Sequence, residues 1–136
     1  MKELTVDAVL ENIPSVTAFI DGQLEALDCS MKAQMQIDVA IDELFSNIAR
    51  YAYPDGPGKA TVGIEFDEEN RMCSVVFSDE GIPFDPLAQQ APDTSLPLMD
   101  RPVGGLGIFL VKKTMDAMAY EYKFSQNVLT IEKKLS

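Results

Sequence analysis

The segment "YPDGPG", residues 53–58, divides this chain into two unlike halves. Two prolines and two glycines in six positions stop any helix, since proline lacks a backbone donor and crowds the preceding turn. Before the break, apolar residues recur at helical spacing. Ile13, Val16, Phe19, Ile20 and Leu24 mark one helix, with Pro14 suited to its first turn. Met35, Val39, Leu44 and Ile48 mark a second, entered through Asp28 or Ser30 as N-cap and running to about Tyr51. Ahead of both, Leu4 and Val6 alternate with polar neighbours, the period of a strand over residues 2–9.

After the break the pattern changes to paired strands. Residues 60–66 and 73–77 flank the polar turn "DEENR", and residues 119–124 and 128–135 flank "SQN", so both pairs read as hairpins. Between them lies a stretch, about 86–103, with four prolines and no periodicity, longer than most loops of compact domains. A short helix over residues 106–118 follows it. The expected order is β, α, α, β, β, long loop, α, β, β. Strict strand–helix alternation is missing, which excludes a doubly wound sheet. The pattern predicts an α+β two-layer sandwich: a mixed, mostly antiparallel sheet covered on one face by helices. At 136 residues, the whole chain is expected to be one domain.

Composition removes several function classes. Twenty-two acidic against eleven basic residues give a net charge of −11, which repels nucleic acid and anionic membranes and favours a basic partner or a ligand carried with a cation. There is no histidine, so imidazole bases, Ser-His-Asp triads and phosphohistidine are excluded. Carboxylates or a metal must carry any chemistry. Cys29 and Cys73 lack metal-ligand spacing and are expected to be free, buried thiols. With no apolar run of about 18 residues and no leader pattern, the expected location is the cytoplasm.

Three constellations carry chemistry. In "DELFSNIARYAY", residues 42–53, Glu43 and Asn47 stand four apart and project from one helix face, with Asp42 and Arg50 nearby. A solvated face would use the same residue types, but the flanking Leu44, Ile48 and Tyr51 are apolar, as beside a cleft. There a carboxylate could accept a proton and an amide oxygen could ligate Mg²⁺. In "FSDEGIPFDP", residues 77–86, Asp79 ends a strand and Gly81 follows. An ordinary turn would look alike; at a sheet rim, however, the carboxylate could accept a hydrogen bond from an exocyclic amine while Gly81 lets a planar ring approach the backbone. In "GGLGIFLV", residues 104–111, glycines open a helix and leave N–H groups uncovered at its positive end, an anion site. This run matches neither a P-loop nor a dinucleotide fingerprint.

Taken in order, the three constellations resemble the GHKL (Bergerat) ATP-binding fold of histidine kinases. "ELFSNIARYAYPDG", "DEGIPFDP", "GGLGIFLVKKTMD" and "NVLTIEKKL" are similar to the free-standing anti-sigma factor serine kinases of bacteria. The resemblance implies that Glu43 is the general base, Asn47 the Mg²⁺ ligand, and Arg50 a phosphate contact. It implies that Asp79 and Gly81 hold adenine, that Gly104, Gly105, Leu106 and Gly107 wrap the phosphates, and that Thr130 reaches adenine through water. The loop over about 86–103 corresponds to the ATP lid. Pro83 stands where the wider family often has a second glycine, stiffening the lid's entry. The cofactors implied are ATP and Mg²⁺. The implied partners are a sigma factor held inactive, a STAS-type anti-sigma factor antagonist phosphorylated on Ser or Thr, and a second copy in a homodimer. A nucleotide-regulated binding module without catalysis is the alternative reading.

Overall fold

The computed structural model describes residues 1–88 and 105–135. Its elements are β1 (Lys2–Asp7), a 3-10 turn (Leu10–Asn12), α1 (Ile13–Ala26), α2 (Met31–Tyr51), β2 (Lys59–Asp67), β3 (Met72–Asp79), a 3-10 turn (Pro86–Ala88), α3 (Gly105–Thr114), β4 (Ala117–Lys123) and β5 (Gln126–Lys134). The strands form one sheet in the order β1-β2-β3-β5-β4, and each of the four pairings is antiparallel. Helices lie on one face, which gives the expected α+β sandwich. The third helix is shorter than expected: it ends at Thr114 and β4 begins at Ala117.

The helices form for identifiable reasons. Pro14 occupies the first turn of α1, and Val16, Ile20 and Leu24, four apart, are fully buried. Asp28, in the left-handed region at φ 59°, ends the connection, and Ser30 caps α2 by accepting the Ala33 N–H at 3.2 Å. The buried face of α2 is Ile37, Ala40, Ile41, Leu44 and Phe45. Met35 and Val39, expected on that face, are instead exposed. A four-residue repeat fits two stripes of one helix, and the stripe richer in bulky branched and aromatic groups takes the sheet.

The opposing layer consists of Val62, Val75, Phe77, Leu129 and Ile131, every second residue of the three central strands. The β2–β3 turn is closed by Asp67, whose carboxylate accepts from the Glu69 N–H at 3.1 Å and the Asn70 side chain at 2.8 Å; these donors hold its pKa below the ordinary value. The β4–β5 turn falls on Phe124 and Ser125, with φ 52° and 60°, one or two residues ahead of the expected "SQN". Cys73 lies in the core, where burial pushes its thiol up to about 12; Cys29, expected to be buried, is half-buried. Among the described residues no helix is long and apolar enough to cross a membrane.

Between α1 and α2 two carboxyl groups meet. Asp21 and Asp38 each bury an Oδ1 that finds no donor among the described residues, and a proton held by Asp38 and donated to Asp21 satisfies both. Burial, then the hydrogen bond and charge of Asp21, push Asp38 from 3.8 up to about 7. The folded chain therefore keeps a proton that the unfolded chain releases. The resulting stability is complete below the unfolded value and is lost as pH rises through about 7. Melting curves between pH 5 and pH 8 should show a fall in Tm for the wild type, flattened in Asp38→Asn; parallel curves would mean the two groups share no proton.

Candidate active site

Asp79 and Asn127 are paired directly across β3 and β5, on the face turned toward the helices. Both are almost fully buried. The Asn127 amide uses every hydrogen-bonding position it has. Its Nδ2 donates to Asp79 Oδ1 at 2.9 Å and to the Ile82 carbonyl at 2.9 Å; its Oδ1 accepts from the Phe84 N–H at 3.0 Å and the Tyr120 hydroxyl at 2.5 Å. The Gly81 N–H also donates to Asp79 Oδ1, at 2.8 Å. Two donors thus converge on one oxygen, and Oδ2 carries the carboxylate's remaining acceptor capacity. Burial raises the Asp79 pKa, opposed by these two bonds.

Gly81 is also required by packing. A Cβ there would collide with the backbone carbonyl of Ala52, which ends α2 and accepts the Ile82 N–H at 2.9 Å. The neighbouring loop is pinned as well: the Tyr53 hydroxyl donates to the Lys59 carbonyl at 2.5 Å and accepts the Glu80 N–H at 2.8 Å. These contacts frame a cleft of about 430 Å³, open mouth included, walled by Leu44, Ile48, Phe77, Ile82, Phe84 and Leu129 and reached by Asn47, Asp79 and Asn127. Tyr51 and Phe84 stand at 6.3 Å between ring centroids. Apolar walls with a buried carboxylate at one point suit a planar heterocycle bearing an amine.

Glu43 and Asn47 share the face of α2 turned toward α3. Glu43 Oε1 is buried without a partner among the described residues, and Gly107 lies so close that a Cβ there would overlap the Glu43 carboxyl. Burial, then the charge of Asp42, raise the Glu43 pKa; Arg50 and a hydrogen bond from Asn47 oppose the shift. An amide that donates to Glu43 leaves its own Oδ1 as an acceptor. That oxygen, beside an orphaned carboxylate oxygen, is a hard donor set that fits Mg²⁺. Arg50 is exposed in the last turn of α2, outside the cleft wall, and acts on the site through its charge.

Of the glycine cluster, Gly105 and Gly107 lie inside the first turn of α3 rather than ahead of it, with Leu106 between them. Gly104, and the lid beyond Ala88, are outside the described residues. Thr130, expected to reach adenine through water, does not face the cleft. It alternates with the buried Leu129 and Ile131, so its side chain projects from the opposite face of the sheet. The residue of β5 that enters the site is Asn127, which the sequence pattern puts in the turn "SQN". Asn127→Ala would take one of its two donors from Asp79 Oδ1, the donor from the Ile82 carbonyl and the acceptor from the Phe84 N–H and the Tyr120 hydroxyl, a loss of about 2–4 kcal/mol in urea unfolding; Thr130→Ala should cost under about 1 kcal/mol. Equal losses in the two variants would contradict the assignment.

Comparison with known proteins agrees with this fold. The model of the histidine kinase-like ATPase domain matches residues 6–133. The serine-protein kinase RsbW of Halalkalibacterium halodurans is 30% identical over 118 residues, 84% of this chain and 71% of that protein. The serine/threonine-protein kinase BtrW of Bordetella bronchiseptica is 26% identical over 102 residues, 75% of this chain and 71% of that one. Among solved structures, the histidine kinase domain of the blue-light activated kinase of Erythrobacter litoralis EL346 superimposes with a TM-score of 0.58 at 10% identity, over 90% of this chain and 61% of that one. The histidine kinase AdeS of Acinetobacter baumannii gives 0.53 at 15% identity, over all of this chain and 70% of that one. These last two speak for the fold alone. The match of the family model to residues 6–133 therefore places the chain in the histidine kinase-like ATPase family, and its similarity to the Halalkalibacterium protein places it among the relatives of the RsbW serine-protein kinases.

Proposed function

We propose that this chain is an ATP- and Mg²⁺-dependent serine/threonine protein kinase that also sequesters a sigma factor, with a STAS-type anti-sigma factor antagonist as phosphoacceptor. The observation that carries the reading is Glu43: a carboxylate with a raised pKa and an unpartnered oxygen, one helical turn from Asn47, on the helix that walls the Asp79 cleft. The names of the two kinase relatives support the same reaction class.

Adenine would lie between the apolar walls, its amino group donating to Asp79 Oδ2. The phosphates would extend toward the first turn of α3, whose free N–H groups favour negative charge. Mg²⁺, held by Asn47 Oδ1, would supply neutralisation of charge on the phosphates. Glu43 would accept the proton of the substrate hydroxyl as that oxygen bonds to the γ-phosphorus; the bond to the β–γ bridging oxygen breaks and ADP leaves with the electron pair. A raised pKa makes Glu43 a stronger base than a free carboxylate, though most of the acceleration must come from alignment of the reactants. Transfer should accordingly rise with pH as Glu43 loses its proton, with a midpoint above the ordinary carboxylate range.

One observation favours the alternative, a nucleotide-regulated binding module. Gly107 brings α3 directly onto the Glu43 carboxyl, which narrows the approach of a substrate hydroxyl to that group. Phosphate transfer from labelled ATP to an antagonist protein separates the two readings. Glu43→Ala should bind ATP like the wild type and lose transfer by at least about 10²-fold. Transfer undiminished in that variant would remove Glu43 as base, and transfer absent from the wild type would favour the binding module.

A further inference from the structure

Helix α2 carries a second apolar stripe that its packing does not use. Met31, Met35 and Val39 recur every four residues and are 78%, 61% and 57% exposed. At about 100° per residue these three and Asp42 fall within a sector of about 80°. Asp42 is exposed at one end of the stripe, and Asp28, also exposed, stands just before the helix at the other. The basic residue of α2 beside the stripe is Lys32; the chain as a whole carries −11.

Large apolar groups in solvent gain nothing for the fold, and three aligned on one helix face form a contact surface. Methionine is unbranched and polarisable, so it adapts to differently shaped partners. The stripe extends about 12 Å, a little over two helical turns, which matches the i, i+4, i+8 anchors of one facing helix. Its charge selects among occupants. A second copy would set carboxylates against carboxylates, and an anionic membrane would be repelled. We infer that Met31, Met35 and Val39 dock a basic amphipathic helix of a partner protein, its apolar side on the stripe and its cations toward Asp28 and Asp42. The inference needs neither ATP nor phosphate transfer, so it stands or falls apart from the kinase reading.

The test uses the full chain labelled at methionine methyl groups with carbon-13. The probe is an 18-residue Lys/Leu peptide patterned as an amphipathic helix; a scrambled peptide of the same composition and a Glu/Leu counterpart serve as controls. The patterned basic peptide should shift the Met31 and Met35 resonances, assigned through Met→Leu variants, while leaving that of the buried Met115 in place. Its affinity should fall with added salt. Met35→Gln with Val39→Gln should weaken binding about tenfold at unchanged Tm, since neither side chain packs in the core. Equal binding of the scrambled peptide would reduce the effect to charge, and equal binding of the acidic one would reduce it to greasiness. Either result, or shifts confined to other methionines, would overturn the inference.

Discussion

The hydrogen bonds of the Asn127 amide hold together the frame of the cleft. One side chain joins β3 through Asp79, β4 through Tyr120, and the 82–84 segment through two backbone groups. An amide buried in a sheet is costly unless all its donors and acceptors are used. Here they are, and that requirement selects a single register for β5 and a single path for the chain leaving β3. Slippage by one residue would turn Asn127 to the other face and empty all of these bonds. The orientation of Asp79 thus follows from sheet pairing rather than from a flexible loop, as a preorganised binding group requires.

Helix α2 links this frame to the rest of the site. Its C-terminal carbonyl, at Ala52, receives Ile82, and its wall residues Leu44 and Ile48 complete the cleft. One turn earlier, Glu43 sits in an unfavourable position: partly desolvated, next to another carboxylate, with an oxygen that no donor among the described residues reaches. A chain selected for stability alone would place an apolar residue there. The absence of a side chain at Gly107 lets α3 lie against this group and shield one side of the carboxylate. Strain of this type, in an otherwise well-satisfied frame, is expected where a group is kept for chemistry.

Much of this was legible in the residues. The i, i+4 spacing of Glu43 and Asn47 forces a common face once α2 is recognised, and Asp79 at the end of an apolar strand must emerge at the rim of the sheet. Hairpin pairing and the "YPDGPG" break were enough for the fold class. What was not legible depended on choices between faces. Met35 and Val39 fit the helical period as well as Ile37 and Ile41 do, and only packing decides which stripe is buried. Asn127 looked like a turn residue because the left-handed positions fall on Phe124 and Ser125, types that seldom adopt them. Counting back by twos from Ile131 through Leu129 would have placed a polar residue on the core face, and that is the signal for Asn127. The same count moves Thr130 to the other side. The role of Gly81 against Ala52 is a contact between segments far apart in sequence, which local pattern does not report.

The central claim is that Asp79, oriented by Asn127, recognises the base of an adenine nucleotide. Titration calorimetry with ATP, with and without Mg²⁺, on the wild type and Asp79→Asn, tests it most directly. The account predicts Mg²⁺-strengthened binding to the wild type and a loss of at least about tenfold in the variant, the cost of one hydrogen bond to a charged group. Equal affinities in the two proteins would contradict it.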